Sequence, residues 1–307
     1  MAAGHSPRLR STATHNAMSE VWTVGRLLQW TTEYFKQHGA DTPRLDAEVL
    51  LAEALGCQRI DLYTAYESIP SQEQRAVFRE MVRRRAAGTP VAYLTGRREF
   101  YSLSFRVTPA VLIPRPETEL LVVALLDLAR QRAGGAEVRI ADVGTGSGII
   151  AVCAAKHLPA ARVTAIDISP QALEVARSNA LEHGVAERIE LVCSDLFQSV
   201  PAEQTFDFVV SNPPYVGSQH ADAVSPEVRQ HEPPVALFAG PRGTEVIQRL
   251  IPQAAERLAA GGYLLIEVSP MIHDAAQAML QSDGRFDVAP TLKDFARLPR
   301  VLQARRR

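Results

Sequence analysis

The chain has 307 residues, 46% of them hydrophobic, with a formal net charge of -1 at pH 7. That length supports a buried core and two folding units. Near-neutral charge argues against a surface built to neutralise a long nucleic acid backbone. Cys57, Cys153 and Cys193 are far apart, with no spacing for a metal centre or disulfide framework, so no metal is expected and a reducing cytoplasm is the expected home. The longest apolar run, LLVVALLDLA from Leu120, is too short to span a membrane and contains Asp127.

Residues 1–19 contain Arg8, Arg10 and several Ser and Thr but no apolar periodicity, so a disordered tail is expected, with Met18 an alternative start. Residues 20–88 read as a small helical domain. Thr23 is placed to cap VGRLLQWTTEYFKQHG, which Gly39 stops, and Thr42-Pro43 opens RLDAEVLLAEAL, which ends at Gly56. Ser71 and Gln74 form a capping-box pattern ahead of a helix closed by Gly88. The charged run Arg83 to Arg85 reads as a solvated helix end.

From 89 to 116 the pattern changes to short β-prone pieces, EFYSLSFRV and AVLI, separated by Thr108-Pro109, and a β-hairpin linker is expected. Residues 117–307 then alternate strand and helix. Strands are expected at VRIADV, RVTAID, RIELVCSD, FDFVVS and YLLIEVS; SPQALEVARSNALEHG is a helix with Ser169 as cap, Pro170 first in the helix and Gly184 as stop. Alternation of this kind specifies an α/β fold with a doubly wound, mainly parallel sheet, to which RFDVAPT and RVLQARR add an antiparallel edge.

The chemistry is expected at the strand ends. ADVGTGSGIIAV is a strand, a glycine turn and a helix, in which Gly144, Gly146 and Gly148, with Thr145 and Ser147 between them, let the backbone approach a ligand closely. Its GxGxG spacing departs from the dinucleotide fingerprint GxGxxG and favours a ligand without a pyrophosphate. Asp167 ends the second strand, where a carboxylate can accept both ribose hydroxyl protons. Asp195 ends the third, placed to accept from an adenine amino group while Leu196 and Phe197 cover the ring. These three features in order resemble the S-adenosylmethionine site of Rossmann-like class I methyltransferases.

The fourth strand ends in Ser211-Asn212-Pro213-Pro214-Tyr215-Val216. The prolines remove two backbone donors, and the segment is left rich in acceptors. Resonance makes an amide or aromatic amino nitrogen a poor nucleophile. The Asn212 side-chain oxygen and the Pro213 carbonyl oxygen could grip its two hydrogens and aim it at a methyl sulfonium, with Tyr215 packed against the planar group. His231 and Glu232 lack metal spacing, and HEPPVAL is expected to brace the pocket.

From about residue 20 to the end, the chain resembles the release factor glutamine methyltransferases. The resemblance rests on GTPVAYLTGRREFYSLSF, LIPRPETELLV, DVGTGSGIIAV, AIDIS, SNPPYV, HEPPVALFAG and GGYLLIEV in this order. It implies S-adenosylmethionine as cofactor, held by Gly144 to Gly148, Asp167, Phe197 and Asn212, and the glutamine of the GGQ motif in class I peptide chain release factors as acceptor, held by Asn212 to Tyr215. The helical domain would then help to recognise that protein. A monomer without stable nucleic acid binding is expected. Rival readings are a ribosomal-protein glutamine methyltransferase, a DNA adenine methyltransferase, which would have to flip its base, and a non-catalytic adaptor. Arg242-Gly243-Thr244 stands where the family has Asp-Gly-Leu, and Arg297 where a glycine usually precedes the last Pro-Arg pair.

Overall fold

A computed structural model describes residues 21–133 and 137–307. The expected tail, with Met18, lies outside the described residues. Two compact units meet in sequence at Ala86/Ala87.

The first unit is helical: α1 (Val24–Gln37), α2 (Pro43–Leu55), α3 (Asp61–Thr64) and α4 (Gln72–Ala86). Its ends follow the capping chemistry of the sequence. Thr23 Oγ1 accepts the Arg26 N–H, and Gly56 closes α2 in the left-handed conformation. Ser71 Oγ accepts the Gln74 N–H at 3.2 Å while Gln74 Oε1 accepts the Ser71 N–H at 2.9 Å, a reciprocal box. Val24, Leu28, Phe35, Leu50, Leu51 and Leu62 form its fully buried interior.

Two buried acids tie these helices together. Glu48 accepts from Arg44 Nε at 2.6 Å, Arg59 Nη2 at 2.8 Å and Tyr63 Oη at 2.5 Å. Asp46 accepts from Thr42 Oγ1 at 2.7 Å and Arg85 Nε at 2.8 Å. The expected solvated arginine run therefore divides: Arg83 pairs with exposed Glu80, whereas the Arg85 side chain is only 10% exposed and serves the helix packing. Helical spacing turns one residue of the run inward, where a carboxylate lies 39 positions away in the chain.

The second unit opens with α5 (Val91–Thr95) and the hairpin β1 (Arg97–Phe100) and β2 (Leu103–Arg106). β2 lies within EFYSLSFRV and β1 begins two residues before it, while Ala110–Ile113, expected as a strand, is not one. The turn is made by Tyr101 and Ser102, both at positive φ (50° and 59°), a primed two-residue turn without its usual glycine, so the expected hairpin is present but turns inside EFYSLSFRV, where the sequence does not mark it. Phe100 and Phe105 pack into the main core of this unit, so the hairpin is part of it more than a linker.

The rest is an α/β sheet with its helices: α6 (Thr118–Ala133), β3 (Val138–Val143), α7 (Ile149–His157), β4 (Ala161–Asp167), α8 (Pro170–Glu182), β5 (Ile189–Cys193), β6 (Phe206–Ser211), the short β7 (Val216–Gly217), α9 (Pro226–His231), α10 (Pro234–Leu237), β8 (Phe238–Gly240), α11 (Glu245–Arg257), β9 (Leu258–Glu267), α12 (His273–Ser282), β10 (Phe286–Val288), β11 (Leu292–Lys293) and β12 (Pro299–Arg306). The strand order is β10-β12-β9-β6-β3-β4-β5. β5, β4, β3, β6 and β9 run parallel, and β12 joins β9 antiparallel. The order reverses at β3, where strands leave on either side, so a crevice opens at the carboxyl ends of β3 and its neighbours. Near-continuous apolar runs fill these strands because helices cover both faces, giving two core clusters.

Candidate active site

The crevice holds a cavity of about 240 Å³ lined by the segments after β3, β4, β5 and β6. Gly144, Thr145, Gly146, Ser147, Asp167, Asp195, Asn212, Pro213 and Pro214 all line it, so residues read separately from four strand ends converge on one space.

The glycine turn is held by acids. Asp142 is fully buried; its Oδ2 accepts from Thr145 Oγ1 at 2.6 Å and from the Ala151 N–H at 3.1 Å. Its Oδ1 has no partner, and burial pushes its carboxyl up to about 7. Asp167 accepts the Gly146 N–H on Oδ2 at 2.8 Å and the Ser169 N–H on Oδ1 at 2.9 Å; burial raises its pKa against the pull of those donors. Gly146, at φ 56°, would place an added Cβ in open space. Gly148 differs from expectation. It lies at φ 81° as the N-cap of α7, and an added Cβ would meet Ala176 of α8 at 3.0 Å, so its lack of a side chain serves helix packing.

Asp195 pairs through Oδ2 with Arg249 Nη2 at 2.5 Å, and both line the cavity. Leu196 lines it too, with φ at 52°. Phe197 corrects the sequence expectation: it is 2% exposed, belongs to the core and lies 6.0 Å from the Phe206 ring. Leu196 borders both the cavity and the core, whereas Phe197 is in the core and does not line the cavity.

Ser211 Oγ donates to the Val143 carbonyl at 2.7 Å, locking the end of β6 to that of β3 and delivering Asn212 beside the glycine turn. Asn212 Nδ2 donates to Thr118 Oγ1 at 3.1 Å. A second cavity of about 180 Å³ lies on the other side, lined by Leu112, Arg115, Asn212, Pro213, Tyr215 and Ala236 among others. Asn212 and Pro213 line both cavities, as do Leu112, Arg115 and Ala236, with Pro214 on the first and Tyr215 on the second. Burial pushes the Tyr215 phenol up to about 12, with the Glu267 charge adding to the effect.

Two contributors were not assigned from sequence, Arg115 and Thr118, while Glu232 acts within the segment expected to brace the pocket. Arg115 lines both cavities, and Thr118 lines the first. Glu232, 3% exposed, accepts from Arg115 Nη2 at 2.5 Å and from the Ile113 N–H at 3.1 Å, so the HEPP segment is tied to the IPRPETE segment. The PRPETE run was the available signal; what it lacked was any indication of its distant partners.

Within the segment that departs from the family pattern, the central glycine has a structural reason and the two changed side chains beside it have none that the structure explains. Gly243 stays glycine: at φ 87°, a Cβ there would lie 2.4 Å from the Tyr215 carbonyl oxygen. The Arg242 and Gly243 N–H groups both donate to the Glu245 carboxylate at 2.9 Å.

A model of the PrmC N-terminal domain matches residues 26–96, and one of the methyltransferase small domain matches residues 117–230. A release factor glutamine methyltransferase of Rhodopirellula baltica is 48% identical over 282 residues, covering 92% of this chain and 95% of that protein. The chain belongs to the release factor glutamine methyltransferase family. The Koribacter versatilis family member is 44% identical over 87% of this chain and 93% of its own. Among solved structures, a Thermus thermophilus 16S rRNA N2 G1207 methyltransferase in complex with AdoMet and guanosine has a TM-score of 0.51 at 20% identity, over 69% of this chain and 50% of that one, a likeness of fold.

Membership of this methyltransferase family implies S-adenosylmethionine as methyl donor. The residues present fit it. Each Asp167 oxygen accepts one backbone N–H and keeps a second acceptor position, enough for two ribose hydroxyls. The open approach at Gly146 leaves room for a ligand against the backbone. Among the described residues no helix is long and apolar enough to cross a membrane.

Proposed function

We propose that this protein transfers a methyl group from S-adenosylmethionine to the side-chain amide nitrogen of the GGQ glutamine in class I peptide chain release factors. The observation that carries this reading is that Asn212 and Pro213 line two cavities, one fitting the donor and the other open to an acceptor.

S-adenosylmethionine supplies a methyl group on a positively charged sulfur. Gly146, Asp167 and Asp195 would hold it along the strand ends. On the opposite side, Asn212 Oδ1 and the Pro213 carbonyl oxygen accept the two amide hydrogens of the glutamine. Fixing both hydrogens orients the nitrogen lone pair at the methyl carbon and favours the more pyramidal geometry of attack. The nitrogen becomes acidic as it is alkylated and sheds one proton, so no side-chain base is required. Tyr215 packs on the planar amide; with its phenol pushed up to about 12 it stays neutral and takes no proton at working pH.

An amide alone offers few contacts for choosing one protein, so selection needs a second surface, which we assign to the helical unit. Asn212→Ala tests the chemical core of the reading. The variant should bind cofactor as wild type does, while single-turnover methyl transfer falls on the order of a hundredfold. Transfer at the wild-type rate would refute the role of Asn212.

A further inference from the structure

The loop after β5 carries Asp195 and Leu196, and one helix holds it. Arg249, Gln253 and Arg257 follow one another at four-residue steps along α11, so their side chains share a face. Gln253 Oε1 accepts the Phe197 N–H at 3.2 Å. Arg257 donates to the Val200 carbonyl at 3.1 Å, to the Phe197 carbonyl at 3.4 Å and to the Pro201 carbonyl. These two side chains engage only backbone groups, and they hold the shape of a loop that includes Leu196 at φ 52°.

Arg249, at the cavity end of the row, engages a side chain instead. Its Nη2 donates to Asp195 Oδ2 at 2.5 Å, and both residues line the larger cavity. Gln198 Nε2 approaches the same oxygen at 3.5 Å. Among the described residues none donates to Oδ1. A carboxylate turns easily about its last bond, and the Asp195 side chain is 34% exposed, so without an anchor it would rotate and spend its lone pairs on water. Anchored through Oδ2, it keeps Oδ1 for a ligand.

We propose that Arg249 is a positioning residue for the adenine of the cofactor: by fixing Asp195 Oδ2 it presents Oδ1 to the exocyclic 6-amino group, and so makes the pocket select a 6-aminopurine. This rests on the reading of Asp195 as the adenine acceptor. The remaining wall supports that division of labour. Ile168, Leu196 and Val246 line the cavity with apolar surface, which suits any purine ring. A 6-amino group donates to a carboxylate, whereas a 6-oxo group is repelled by it. Stability gives the ion pair little purpose, since an exposed pair contributes little and Gln253 and Arg257 already hold the loop.

The test measures by calorimetry the Kd of S-adenosylhomocysteine and of its 6-deamino purine analogue. Wild type should bind the amino compound about tenfold or more tightly than the analogue, the worth of a hydrogen bond to a charged acceptor. Arg249→Met keeps an apolar stem and loses the donors. It should cut that preference about threefold or more while the affinity for the analogue stays within about twofold of wild type. Arg249→Lys, which restores a charged donor, should recover part of the loss. Asp195→Ala should abolish the preference, and adding Arg249→Met to it should change nothing further, because Arg249 acts through Asp195. The melting temperature of Arg249→Met should stay near that of wild type. If Asp195→Ala abolishes the preference but Arg249→Met retains it, the positioning role is overturned and that of Asp195 stands. A preference that survives Asp195→Ala overturns both. Equal weakening of both ligands by Arg249→Met would mark Arg249 as a direct contact or a structural cation and overturn the inference.

Discussion

Asp167 fastens the glycine turn of the adjacent strand, its Oδ2 accepting the Gly146 N–H at 2.8 Å while Oδ1 holds the Ser169 N–H. One carboxylate therefore shapes the turn and presents the remaining acceptor positions to the cofactor. Asp167→Ala should weaken S-adenosylmethionine binding about tenfold or more, because each lost hydrogen bond contributes about 1 kcal/mol and the turn is released as well. Isothermal calorimetry reads the affinity; unchanged binding would remove Asp167 from the site.

In the helical unit, the burial of Arg85 against Asp46 makes it a structural cation. Arg85→Ala leaves a buried carboxylate with Thr42 as its other side-chain donor, and should cost about 3 kcal/mol of stability. Arg83→Ala, two positions away and paired only at the surface, should barely move the melting temperature. Equal effects from the two substitutions would contradict the assignment.

Arg297 occupies a left-handed conformation, φ 60°, at the position where the family resemblance leads one to expect glycine. An L side chain pays for that conformation and glycine does not. Arg297→Gly should therefore stabilise the protein by about 1 kcal/mol in chemical denaturation. A loss of stability would mean that the Arg297 side chain contributes more than its backbone costs.

Asp142 should make stability depend on pH. Its pKa is raised to about 7 by burial, so the fold favours the neutral carboxyl. Its stabilising contribution is complete below the ordinary carboxylate value and is lost as pH rises through about 7. Asn cannot ionise. The melting temperature of Asp142→Asn relative to wild type should climb between pH 4 and pH 7 and then level. A difference independent of pH would show that Asp142 does not titrate in this range.

Much of the scaffold was legible because its signals are local. Thr23, the Ser71/Gln74 box, Ser169 and the glycine stops act within a few residues, and the strand-helix alternation follows from apolar patterning. The strand-end residues were legible for the same reason, since an α/β sheet puts ligands at its carboxyl edge. Backbone excursions were not: positive φ at Tyr101 and Ser102 carries no glycine mark, which displaced the hairpin turn, and nothing local placed Phe197 in the core. The Asn212–Thr118 hydrogen bond was also hidden, because it joins two ordinary residues 94 positions apart.

The central claim is tested most directly by incubating the purified protein with methyl-labelled S-adenosylmethionine and, side by side, intact release factor, ribosomal proteins and DNA, then locating the label by mass spectrometry. We expect one methyl group per release factor, on the GGQ glutamine, lost when that glutamine is replaced and reduced on the order of a hundredfold with Asn212→Ala. Labelling of a ribosomal protein or of adenine in DNA, with the release factor left unmodified, would contradict the account.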